Sequence, residues 1–338
     1  MKFIHLADVH LGDNFNLNET LAKKVRSYSK KSLKKIFNAN KDVDFALIAG
    51  DLFERSYFSS RDFKELFEIF EDFSKDIYYV SGNHDYFDDF TRIFLKNAPS
   101  NLHVFGSETM EMFESQNIRV YGISYGDRIF DKKISLNIDL DDDFFNIFLI
   151  HSDYNINNSR YFNLNKADIQ KLSFDYIALG HIHKRNSILK AYYPGSIEPH
   201  DFTDVYEYGY IRYEDGRANF IDSSILKFWN FDLNMKDFSS LEELALYINK
   251  KISKDKKNLI RITIKTEDPI DTRKLKEEIK AYYLDIRQEE DLSYQNLVTL
   301  YPNSLVEKFY QKFEGKDDAI HKLARDLGLE AIFRSKYD

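Results

Sequence analysis

Six short apolar runs mark the first 185 residues, and each finishes in a polar loop: "KFIHLAD", "FALIAGD", "IYYVSGNHD", "IRVYGIS", "NIFLIHS" and "DYIALGH". Runs this short and this apolar read as strands buried on both faces. Between them, residues 19–40 and 59–75 place apolar side chains at helical spacing, as Leu21, Val25, Tyr28, Leu33 and Ile36 show. Strands alternating with helices in this way predict an α/β layered domain. Beyond residue 185 the pattern changes to short strands, "YEYGYIRY" and "ANFIDS", around the turn "EDGR".

A boundary is expected near residues 228–236. A helix ("SSLEELALYINKKI"), a strand ("NLIRITIKT") and a further helix ("TRKLKEEIKAYYL") then predict a small α+β domain. The expected division is 1–230, 231–302 and a helical C-terminal segment at 303–338, with Gly315 between two helices. The apolar residues of those helices are Leu305, Val306, Phe309 and Phe313, then Ile320, Leu323 and Leu327. They read either as a partner-docking surface or as packing against the protein's own core.

The strand ends carry the chemistry. "ADVHLG" offers Asp8 and His10, "AGDLF" offers Asp51, and "SGNHD" offers Asn83, His84 and Asp85. "LIHSD" adds His151, and "GHIH" adds His181 and His183. The chain has no cysteine, so any metal must be held by His, Asp, Glu or Asn. Mixed oxygen and imidazole donors suit Mn, Fe, Zn or Co. A lone Asp-x-His or a single buried histidine is usually structural. Several such groups in order, each after an apolar strand, read instead as ligands gathered where α/β sheets place their sites. There are too many for one ion, and they divide between two that share a bridging carboxylate. Such pairs activate water and clamp both oxygens of an in-line displacement. His181 and His183 then serve different ions. His5 reads as a strand residue, His103 and His321 as surface or packing residues, and His200 in "PGSIEPHDF" stays undecided.

The set "DVHLG", "GDLF", "GNHD", "IHSD" and "GHIH" resembles the calcineurin-like metallophosphoesterase superfamily. With "YPGS" and the C-terminal domain, it is most similar to the DNA-repair nuclease branch, the SbcD/YhaO-like subunits. The resemblance implies a four-layer α/β/β/α sandwich with a small α+β cap and terminal helices. It implies one ion on Asp8, His10 and His183, another on Asn83, His151 and His181, with Asp51 bridging and manganese as the usual metal. It makes His84 the catalytic imidazole, oriented by Asp85. It further implies DNA as substrate, cut as an exonuclease or endonuclease, an SMC-like coiled-coil ATPase as partner docked on the terminal helices, and a homodimer. The rival readings are a phosphatase or phosphodiesterase of small or protein substrates and a non-catalytic scaffold.

One position departs from the pattern. Where the resembled nucleases commonly have a histidine three residues after the bridging aspartate, this chain has Glu54. An ionised carboxylate cannot donate to a phosphate oxygen and repels its charge. The expectation is weak cutting of blunt duplex ends relative to single strands, with Glu54 affecting substrate choice alone.

The net charge of −8 does not settle the substrate, because bound cations would dominate the local field. The stretch "KKVRSYSKKSLKKIF" has seven basic residues and no acid. Lys23, Lys30 and Lys34 share one helix face, which reads first as a solvated surface and second as a phosphate contact. The first residues read as a strand and not a secretion signal, and no apolar run nears the roughly 20 residues of a membrane span. A cytoplasmic protein is expected.

Overall fold

The computed structural model describes residues 1–13, 19–132, 134–136, 138–266, 270–290, 303–316 and 318–334. The side chain of Lys23 lies outside the described residues. The chain divides into two compact units, Met1–Trp229 with Ser253–Leu259, and Asn230–Ile252 with Ile260–Asp338.

In the first unit, β1 (Lys2–Leu6), β2 (Phe45–Ala49), β3 (Asp76–Val80) and β4 (Leu102–Val104) run parallel. The sheet is extended past β1 by the antiparallel hairpin β13 (Gly209–Glu214) and β14 (Arg217–Asp222). Asp215 and Gly216 both have positive φ, 53° and 75°, the two-residue turn whose twist suits a hairpin. A second sheet has the order β11 (Asn186–Ile188), β12 (Ala191–Tyr193), β10 (Tyr176–Gly180), β7 (Phe145–His151), β6 (Ile118–Gly122), β5 (Glu111–Ser115). A short ribbon pairs β8 (Asp153–Tyr154) with β9 (Asn163–Leu164).

Successive side chains of a strand face opposite ways, and the cores follow that rule. Ile4, Leu6, Ala46, Ile48 and Ile77 pack outward against α1 (Glu19–Ala39) and α2 (Ser60–Phe73), meeting Leu33, Ile36, Phe63, Phe70 and Phe73. Their neighbours Phe3, Phe45, Leu47, Tyr78 and Val80 face the second sheet and meet Val120, Ile147, Leu149 and Ala178. The outer side of the second sheet is covered by Ile169, Leu172 and Phe174, on and just after α4 (Lys166–Lys171). These are the four layers α/β/β/α, and each fully buried Leu or Phe contributes about 1.5–3 kcal/mol. A short helix α3 (Asp89–Leu95) follows the loop after β3. Helix α2 starts on a capping box, Ser59 with Asp62. Lys30 of α1 is paired with Glu65 of α2.

His5 sits between the sheets with its Nδ1 3.1 Å from the Tyr176 hydroxyl, and burial pushes its pKa down to about 3. It is a neutral core residue.

Glu198 is fully buried just after "YPGS" and accepts from the backbone N–H groups of Ile225 (2.6 Å) and Leu226 (2.9 Å) and from the Ser32 hydroxyl. Glu198→Ala strands those donors and is expected to cost about 2–3 kcal/mol in urea denaturation. Burial pushes this carboxyl up to about 7, against its hydrogen bonds. The folded chain therefore holds a proton that the unfolded chain releases from about 4.5, so stability falls as pH rises across that interval. A wild-type pH–stability slope equal to that of the alanine variant between pH 5 and 7 would contradict this.

A further sheet in the order β15 (Leu226–Asn234), β16 (Lys257–Thr266), β17 (Tyr283–Glu290) has most of its residues in the second unit, which also holds α5 (Leu241–Lys251) and α6 (Thr272–Glu278). The segment expected as one helix over "TRKLKEEIKAYYL" ends at Glu278, and its Tyr-Leu end opens β17. Aromatic and β-branched residues beside a sheet edge gain backbone partners there, which outweighs the local helical period. Helices α7 (Leu305–Gln311) and α8 (Ala319–Arg334) pack together through Val306, Phe309 and Leu329. Leu305, Ile320, Leu323 and Leu327 remain exposed.

Candidate metal centre

The carboxyl ends of parallel strands collect the loops. β1, β2 and β3 run one way, as do β7 and β10. Backbone hydrogen bonds fasten the loops together: Asp8 N–H to Gly50 O (3.1 Å), His10 N–H to Asp51 O (3.0 Å) and Ser152 N–H to Gly180 O (3.1 Å). The Nδ1–H of His151 donates across the sheets to the Ala49 carbonyl at 2.9 Å.

Strand alternation is not what aims these side chains. β1 stops at Leu6 and β10 at Gly180, so Asp8, His10, His181 and His183 all lie past the strands. Asp8, His10, Asp51 and His181 take φ values of 50°, 46°, 50° and 95°. A non-glycine residue at such a φ costs on the order of 1–3 kcal/mol, a strain characteristic of functional sites. The glycines of "AGD" and "SGN" are required by proximity. A Cβ on Gly50 would lie 2.4 Å from His151 Nδ1, and one on Gly82 would lie 2.3 Å from Asp51 Oδ1.

The expected residues converge in two clusters. On one side, His10 Nε2 and His183 Nε2 are 3.1 Å apart, and the buried Asp8 and Asp51 join His10 in a set of donors within 4.8 Å of one another. On the other, His151 Nε2 is 3.0 Å from Asn83 Oδ1, and His181 Nδ1 is 3.1 Å from both. Asp51 Oδ2 stands between them, 3.2 Å from His151 Nε2 and 3.8 Å from His10 Nε2. The second nitrogen of three imidazoles is held by an acceptor: Glu54 for His10 (2.6 Å), Ala49 O for His151 (2.9 Å), Asp153 for His181 (3.1 Å). That is how proteins orient a metal-binding imidazole. Asp8 is held in turn by the His181 N–H.

The electrostatics fit cations. Burial opposes charge on Asp51, yet His151 and His10 outweigh it and hold the carboxyl well below its usual range. Burial likewise opposes protonation of His10 and His151, but Glu54 and Asp51 beside the first, and Asp51 and Asp8 beside the second, raise both to about 9. Burial and neighbouring imidazoles push His181 down to about 4 and His183 well below its ordinary value. The carboxylates that draw protons onto His10 and His151 would draw a divalent cation to the same nitrogens. The donor set therefore fits two divalent ions.

Two expectations are corrected by the geometry. Asp85 does not orient His84. Its buried carboxylate accepts from the N–H groups of Asp51, Leu52 and Gly82 and from the Tyr79 hydroxyl, which takes up its acceptor capacity and ties the second and third loops together. The partner of His84 is Glu54, whose Oε2 lies 3.0 Å from His84 Nδ1. Glu54 thus holds two imidazoles, His10 and His84, and cannot affect substrate choice independently of the centre. The two rings stand edge to face at 4.9 Å. Sequence reasoning also passed over Asp153, although "HSD" repeats the one-residue spacing of "DVH", and left His200 undecided. His200 lies beside His10 and His183 with its Nδ1 2.8 Å from Asp13.

The family model for calcineurin-like phosphoesterases matches residues 1–185. The chain is 31% identical over 217 residues to "Uncharacterized metallophosphoesterase YhaO" of Bacillus subtilis (strain 168), a match covering 59% of this chain and 52% of that protein. It thus spans about half the length of that relative. It is 27% identical over 371 residues to "DNA double-strand break repair protein Mre11" of Archaeoglobus fulgidus, covering 94% and 80% of the two chains. A protein of the same description from Methanocaldococcus jannaschii is 25% identical over 302 residues, covering 84% and 79%. No helix among the described residues is long and apolar enough to cross a membrane.

Proposed function

This chain belongs to the calcineurin-like phosphoesterase family, and we propose that within it the chain is a two-metal phosphodiesterase, the nuclease subunit of a DNA double-strand-break repair complex. The observation that carries the hydrolytic part is Asp51 Oδ2 standing between two imidazole clusters, the place of a bridging ligand. Asp8, His10 and His183 would hold one ion, Asn83, His151 and His181 the other, with manganese the metal of first choice. Two divalent ions held there would supply a nucleophile at neutral pH and offset phosphate charge.

The remaining roles fall to side chains. The backbone N–H of His84 donates to Asp51 Oδ1 at 2.9 Å, which fixes the bridging carboxylate. The His84 ring is 44% exposed at the rim, so it can meet a substrate that reaches the centre. Burial disfavours its charge, but the hydrogen bond to Glu54 and the charge of Asp51 raise its pKa. A cationic imidazole there can donate to a phosphoryl oxygen or protonate the leaving oxygen.

DNA as substrate is favoured by the relatives described as double-strand-break repair proteins and by the second unit, which a small-substrate phosphodiesterase does not need. The exposed Ile320, Leu323 and Leu327, spaced to share one side of α8, support docking on an SMC-like coiled-coil ATPase.

The purified protein should hydrolyse bis-p-nitrophenyl phosphate with Mn²⁺, lose this activity in EDTA, and cut DNA under the same conditions. Hydrolysis of phosphomonoesters or cyclic nucleotides without cutting DNA would transfer the reading to a small-substrate enzyme. Truncation after residue 302, or aspartate at Ile320, Leu323 and Leu327 together, should leave chromogenic hydrolysis near wild type. Either change should abolish co-purification with the ATPase. Insoluble truncated protein together with a triple variant that still binds the ATPase would remove the docking role.

A further inference from the structure

His200 repeats the arrangement seen at the other imidazoles of the centre. In His10, His151 and His181 one ring nitrogen faces the cluster and the other is held by Glu54, the Ala49 carbonyl or Asp153. The buried His200 donates its Nδ1–H to Asp13 Oδ2 at 2.8 Å. Its ring centroid stands 4.9 Å from that of His10 and 5.2 Å from that of His183. One ring nitrogen from each of these three lies within 4.8 Å of the others. The approach is built into the preceding loop. Ser196 N–H donates to the His183 carbonyl at 3.1 Å, and Gly195, at φ 75°, passes so close that a Cβ would lie 2.5 Å from that same oxygen.

We propose that His200, oriented by Asp13, is a third imidazole ligand for the ion on the His10–His183 side, additional to the seven residues assigned above. The inference rests on the two-ion reading. Its chemical consequence is selectivity. Two imidazoles with carboxylates accept Mn²⁺ readily, whereas a third imidazole moves that position toward Zn²⁺, Co²⁺ or Fe²⁺.

The test uses the full chain with Co²⁺ alone, following stoichiometry by calorimetry and ligand geometry by visible absorption. Wild type should bind two ions. His200→Ala should weaken one of them by on the order of 10–100-fold, with a change in the cobalt bands, and leave the other in place. Asp13→Asn should weaken the same ion by a smaller factor, because it loosens the ring without removing it. Competition should show the Zn²⁺ over Mn²⁺ preference falling in both variants. Two ions bound by His200→Ala with unchanged affinity and spectrum would overturn the proposal, as would equal weakening of both ions, the mark of a packing residue. If His200→Ala does not fold, Asp13→Asn decides by the same measurements. Wild type that binds no Co²⁺ would defeat the two-ion reading itself, whereas an unaltered variant beside a two-ion wild type defeats only the role of His200.

Discussion

Replacing His84 with alanine is expected to lower phosphodiester hydrolysis by roughly 10²–10⁴-fold while both ions stay bound. The reason is where its two ends reach. Its backbone N–H supports Asp51, and alanine keeps that contact. Its ring, 44% exposed and turned to Glu54, is the part proposed to meet substrate, and alanine removes only this. The loss should fall on kcat, since a donor that acts on developing charge contributes in the transition state. Metal content by mass spectrometry and Mn²⁺ affinity by calorimetry should match wild type. Asp51→Ala provides the contrast, because removing a group placed between both clusters should empty them. A His84→Ala protein that has lost its ions would mean the ring is a ligand and the assignment is wrong.

Glu54→Gln is expected to reduce hydrolysis of the chromogenic diester by about 10–100-fold, the usual effect of removing the acceptor behind a metal-binding imidazole. Burial opposes ionisation of Glu54, but His10 and His84 hold its pKa down to about 2, so at neutral pH it is a carboxylate receiving two imidazole N–H groups. Glutamine keeps the shape and one acceptor oxygen, yet must turn an amide N–H toward one of the rings. Glu54→His removes the negative charge beside the centre and adds a donor. It should lower the same chromogenic rate while raising cutting of blunt duplex relative to single strands. If neither variant changes either quantity, Glu54 neither orients the rings nor sets substrate choice.

How much of this could be read from the chain alone depends on the range of the interaction. The layered α/β class was legible because it is written in local periods: apolar pairs such as Ile4 and Phe3 on alternate faces of β1, and Leu33 and Ile36 on one side of α1. The candidate ligand types were legible too, since "DVH", "GD", "GNH", "IHS" and "GHIH" each follow an apolar strand and a chain without cysteine leaves His, Asp, Glu and Asn as its metal ligands. What only the tertiary structure decided is which atom meets which. Glu54 lies 44 residues from His10 and 30 from His84, and Asp13 lies 187 from His200. No local pattern encodes such pairs. They arise where loops leave the strands at positive φ, as at Asp8, His10, Asp51 and His181, and where glycines let those loops touch. Asp85 shows the limit of reading neighbours as partners: adjacent to His84 in the chain, it spends its oxygens on the backbone of Asp51, Leu52 and Gly82. A buried carboxylate takes the N–H groups that the fold brings within reach, because leaving them unsatisfied costs more than giving up a sequence neighbour.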